Sequence, residues 1–145
     1  MDELSKYETD FYGWAIEQAE LLRTRRLNEA DLDNIAEEIE SMGRSEKREL
    51  VNRLAVLLAH LLKWQSQPGL RRTSWRLTVV EQRRRLARHM QGNPSLTTIL
   101  PDAIDEAYDY ARLAAQSETG LADSAFPATC PYSFDQVGDE RFWPD

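Results

Sequence analysis

Chemistry in this chain has to come from a small inventory: His60 and His89, the single Cys130, the acidic cluster Glu37-Glu38-x-Glu40, and arginines at 71, 72, 76, 83, 84, 85 and 88. His60 sits in an apolar run, where desolvation lowers an imidazole pKa and makes a general base. The blander role is a core-edge histidine donating to a carbonyl or carboxylate, as most buried polar groups do. The three glutamates offer hard oxygen ligands to a divalent cation, although acid clusters on helices are usually solvated faces. Neither histidine has a glutamate three residues before it, so the Glu-x-x-His pairs of di-iron bundles are missing. Glycine-rich phosphate loops and His-Glu-x-x-His are missing as well. One cysteine makes neither an internal disulfide nor a cysteine-based zinc site. No catalytic residue, metal or cofactor is assigned.

The sharpest local pattern lies after Ser74. A helical stripe of Val79, Val80, Leu86, Ala87 and Met90 also carries Arg76 and Arg83, with Arg83 near its centre. A guanidinium cannot shed its proton to escape burial, so it needs acceptors. Glu37, Glu38 and Glu40 on an earlier helix are the candidates, as a structural ion pair fixing helix register. An anion-binding site around Arg76 and Arg83 is the functional alternative.

These residues have to be positioned by helices. Phe11, Trp14, Ala15 and Leu22 recur at helical spacing over 10–25, with Thr9 or Asp10 as N-cap. Asn28 is the expected cap of a second helix that puts Leu32, Ile35, Ala36, Ile39 and Met42 on one face, ending or bending at Gly43. A third, central helix spans 45–65 and is broken by Pro68-Gly69. Thr73 or Ser74 caps the fourth, which stops at Gly92-Asn93-Pro94, and a fifth runs from about Pro101 to Ser117 and closes at Gly120. Beyond it, three prolines interleave with Phe126, Tyr132, Phe134, Val137, Phe142 and Trp143, predicting an extended strap that buries its aromatics, with a Ser133/Gln136 capping box. Strand-like alternation and solenoid repeats are absent. The fold expected is all-α: one domain over 1–145, an antiparallel bundle of about five helices over 1–120 with a proline-rich and aromatic C-terminal strap over 121–145.

Composition agrees, with 41% hydrophobic and 30% charged residues. The net charge of −7 hides three blocks: 12 acids against 4 bases over 1–43, 12 bases against 3 acids over 44–89, and 10 acids against 2 bases over 90–145. Seven arginines within residues 71–88 raise nucleic-acid binding as an alternative, which the sequence pI near 4.9 opposes. Internal neutralisation is the first expectation. The start Met1-Asp2-Glu3 has no basic and apolar leader, and no apolar run reaches membrane length, so a cytoplasmic protein without membrane contact is expected.

Taken in order, Asp10-Phe11-Tyr12-Gly13-Trp14, Glu37-Glu38-Ile39-Glu40-Ser41-Met42-Gly43, His60-Leu61-Leu62-Lys63-Trp64, Ser74-Trp75-Arg76, Glu81-Gln82-Arg83-Arg84, Glu118-Thr119-Gly120-Leu121, Cys130-Pro131-Tyr132 and Phe142-Trp143-Pro144 resemble the bacterial domain-of-unknown-function family twenty-nine, prominent in cyanobacteria and proteobacteria. The resemblance covers nearly the whole chain. It implies an all-helical bacterial protein and transfers no catalytic residue. It draws attention to Glu37, Glu38, His60, Trp64, Trp75, Gln82 and Arg83, which lie in the family's segments.

Two functions are carried forward. The first is a non-enzymatic helical module that binds a protein partner or itself. The second is a small anionic-ligand binder or enzyme with a pocket near Glu37, Glu38, His60 and Arg83. The candidate binding or ion-pair cluster is Glu37, Glu38, Glu40, His60, Trp64, Trp75, Arg76, Gln82 and Arg83.

Overall fold

A computed structural model describes residues 5–145; Met1-Asp2-Glu3, on which the expectation about a leader rests, lies outside them. The chain is all-α, and no strand occurs among the described residues. Six α-helices follow in order among the described residues: α1 Lys6–Thr9, α2 Phe11–Arg23, α3 Leu32–Ser66, α4 Thr73–Gly92, α5 Leu100–Thr119 and α6 Phe134–Gly138. Short 3-10 turns lie at Pro68–Leu70, Pro94–Ile99 and Asp123–Ala125. Where one domain is expected, the chain divides into two compact units, Met1–Ser45 and Glu46–Asp145.

In the first unit Asp10 caps α2 by accepting from Gly13 N at 3.1 Å. A Cβ at Gly13 would stand 2.4 Å from the Asp10 carboxylate, so a larger residue there would make the capping side chain shift. Asp31 ties the helix pair together. Its carboxylate accepts from Trp14 Nε1 at 3.0 Å and from Asn34 Nδ2 at 2.8 Å, while its N–H donates to Gln18 Oε1 at 2.7 Å. The next helix therefore begins after Asp31 instead of at the expected cap Asn28, which lies in the turn that Arg25 opens with φ 64°.

The largest departure from expectation is α3. Gly43 neither ends nor divides it, and the second and third helices expected are one element of 35 residues. A helical glycine costs about 1 kcal/mol relative to alanine, which helix formers on both sides outweigh. At α4, Thr73 and Ser74 occupy the first turn and Arg72 is the N-cap, with no side-chain cap bond.

The core of the second unit grows from α3. Leu50, Leu54, Leu57, Leu58 and Leu61 are fully buried, because the helix is apolar on more than one side there. Val79 and Leu86 of α4 pack on it, and α5 contributes Ala103, Ala107, Ala111 and Ala115, a stripe of small residues at i, i+4 spacing. Gly120, at φ 73°, ends α5 in the left-handed conformation. Phe126, Tyr132 and Val137 then join the same core, and Phe142 and Trp143 pack against it. The Ser133/Gln136 capping box is formed. Leu58→Ala should lower the unfolding free energy by about 2–5 kcal/mol, and Ile39→Ala, at an exposed position, by no more than about 0.5 kcal/mol; urea unfolding of both variants checks the contrast.

Candidate functional site

The acidic cluster belongs to the first unit and is engaged residue by residue. Glu38 accepts a short hydrogen bond from the Tyr7 hydroxyl, which pushes the Tyr7 pKa up to about 12. Glu37 pairs with Arg44 at 2.8 Å, and Glu40 lies 3.9 Å from the same guanidinium. On the apolar face beside these acids Leu32 is 51%, Ile39 59% and Met42 63% exposed, and Ile35 is half-buried.

Arg83 is buried as its stripe predicts, but its acceptors are carbonyls. Nε donates to Val137 O at 2.8 Å and Nη2 to Gln136 O at 3.3 Å, so α4 grips the last turn of the five-residue strap helix α6. Burial draws the guanidinium pKa down, and the nearby charges of Asp139 and Glu140 oppose the shift. Nη1 of Arg83 and Oε1 of Gln82 are buried without a hydrogen-bond partner among the described residues. Arg76, one turn before Val79 and expected on the same stripe, is exposed.

Arg83 is also one rung of a ladder. Its guanidinium lies 5.5 Å from the Trp143 ring centre, Trp143 lies 4.6 Å from Trp64, and Trp64 lies 5.0 Å from the Arg71 guanidinium. Cation, ring, ring and cation thus alternate in favourable electrostatic order. Arg71 completes the arrangement by donating to Trp64 O and Pro144 O.

His60 belongs to a second group. Its Nδ1 faces Val56 O at 2.8 Å, the arrangement of an Nδ1–H donor, and its Nε2 then accepts from Lys63 Nζ at 3.4 Å. Lys63 is itself buried, forms a short ion pair with Glu118, and lies 5.0 Å from the Trp75 ring centre. Burial, the largest cause, holds the His60 pKa below its ordinary value. A cavity of about 270 Å³ adjoins this group, lined by Lys63, Gln67, Arg72, Trp75, Glu118 and Thr119. Sequence reasoning passed over Lys63 and Glu118. The available signal was position: Lys63 follows the apolar run 54–62 directly and stands one turn from both Ala59 and His60. It also passed over Glu46, Glu49 and the buried side of His89, which meet between α3 and α4.

Fold and site together define an all-α protein whose second unit buries cations against carbonyls and tryptophan rings. The chain belongs to the family described as Domain of unknown function DUF29, whose pattern matches residues 6–143. No curated protein and no solved structure matches it.

Arg83→Met should lower stability by about 1–3 kcal/mol, the cost of leaving buried acceptors unmet, and Arg83→Lys should not restore it, because an ammonium lacks the planar fork; chemical unfolding monitored by tryptophan fluorescence tests both. A histidine with a depressed folded pKa stabilises fully above its unfolded value of 6.5 and loses that contribution as pH falls through the folded pKa. His60→Gln should therefore flatten the acid side of the stability profile below that value; an unchanged slope would place the acid sensitivity elsewhere.

Proposed function

We propose that this chain is a non-enzymatic interaction module whose docking face is the N-terminal part of α3, and that its partner is a basic amphipathic helix. The observation that carries this reading is the stripe of Leu32, Ile39 and Met42, at i, i+7 and i+10, each more than half exposed. Single exposed apolar residues are ordinary, but aligned ones at helical spacing are how a helix is received in a groove or along a face. The charge of the partner follows from the flanks. Asp33, Glu37 and Glu40 are exposed on the same segment, and residues 1–43 carry 12 acids against 4 bases. Like charge there would repel an acidic partner and steer a basic one toward the stripe.

The arginine-rich segment supports a nucleic-acid surface less well. Arg71 and Arg83 are spent on carbonyls and tryptophan rings, and Arg85 pairs with Glu81 at 2.7 Å. No helix among the described residues is long and apolar enough to cross a membrane.

A fluorescently labelled Leu/Lys amphipathic peptide about five helical turns long is the probe, followed by anisotropy against the whole chain. Saturable binding is expected, weakened at least about tenfold in the Ile39→Asp/Met42→Asp variant and weakened by added salt. Both substitutions are at exposed positions, so the melting temperature should hold. Equal binding by the double variant, or by a Leu/Glu peptide of the same length, would refute the assignment.

A further inference from the structure

Glu46 and Glu49 stand three residues apart on α3 and so share a face, and α4 brings His89 against them from its last turn. His89 Nε2 lies 2.7 Å from Glu46 Oε2 and 3.4 Å from Glu49 Oε2, and the three atoms all lie within 4.8 Å of one another. The histidine side chain is 7% exposed, whereas those of the glutamates are 45% and 41% exposed. The imidazole is therefore a fixed floor beneath two carboxylates that open to solvent.

One Nε2–H can satisfy one carboxylate, and here two converge on the same nitrogen. A cation in place of that proton answers both. Ligand atoms about 2.1 Å from a first-row metal ion, at tetrahedral to octahedral angles, are about 3.0–3.4 Å apart, so the two observed separations need only small side-chain adjustments. Glu49 is already aimed. Its Oε1 is held by Arg53, through Nε at 3.1 Å and a shorter bond from Nη2, which leaves Oε2 to face His89. Outer hydrogen bonds of this kind orient ligating carboxylates. The Nδ1 of His89 is buried and has no hydrogen-bond partner among the described residues, so nothing there pins the proton to Nε2.

We propose that Glu46, Glu49 and His89 form a binding site for a divalent first-row transition-metal ion, with Zn²⁺ as the best fit. Mixed imidazole and carboxylate donors suit zinc, whereas Mg²⁺ is held by oxygen alone. Three protein ligands leave a fourth position for water. The imidazole lacks the outer acceptor that usually supports a metal-bound histidine, which costs about 10–100-fold in affinity.

Isothermal titration of the whole chain with ZnCl₂, and in parallel with MgCl₂, tests the site. One Zn²⁺ per chain is expected, with no response to MgCl₂ and at least about tenfold weaker Zn²⁺ binding in both Glu46→Gln and Glu49→Gln. Zn²⁺ should also raise the melting temperature of the native chain and not that of Glu46→Gln. Absence of Zn²⁺ binding, or binding that either glutamine variant leaves unchanged, overturns the proposal. The two glutamine variants decide the matter even where His89→Ala fails to fold.

Discussion

The C-terminal strap of this protein is mostly irregular backbone, and buried or half-buried carbonyls in such a segment must find donors outside it. Guanidinium groups supply them. Arg83 donates to Gln136 O and Val137 O, Arg112 to Asp123 O and Phe126 O, and Arg71 to Pro144 O. Each planar fork supplies donors that a helix or sheet would otherwise provide. Without these donors Phe126, Tyr132 and Val137 could enter the core only by leaving polar backbone unsatisfied.

That constraint explains the charge pattern better than a search for an anionic partner does. The basic block over 44–89 is used in three ways. Some cations take carbonyls, some lie on aromatic rings, and some take carboxylates, as Lys63 does with Glu118 and Arg53 with Glu49. Internal neutralisation is part of the answer, and the share taken by neutral acceptors could not be read from a count of charges.

Periodicity made the helices legible. The burial of Leu54, Leu57, Leu58, Leu61 and Leu62, the stop at Gly120 and the capping box at Ser133 all follow from local rules. The merging of two helices through Gly43 did not, because glycine's cost is small and is outweighed by its neighbours. The site was legible in its members but not in its pairings. Arg83 and Trp64 stand out in the sequence, yet the ring that joins them is Trp143, and carbonyl acceptors carry no side-chain signal at all. Lys63 was hidden for a related reason: a lone lysine after an apolar run resembles a helix end until a distant carboxylate is placed beside it.

The strap also bears on how the protein is made. Tyr132 donates to Gln65, 67 positions earlier, and the core begun by Leu50 to Leu62 is completed by Phe126, Tyr132 and Val137. During vectorial synthesis the central helix emerges long before the residues that cover it. Until position 137 is clear of the ribosome, a strongly apolar surface waits uncovered, which is the interval in which a nascent chain depends on chaperones and is open to aggregation.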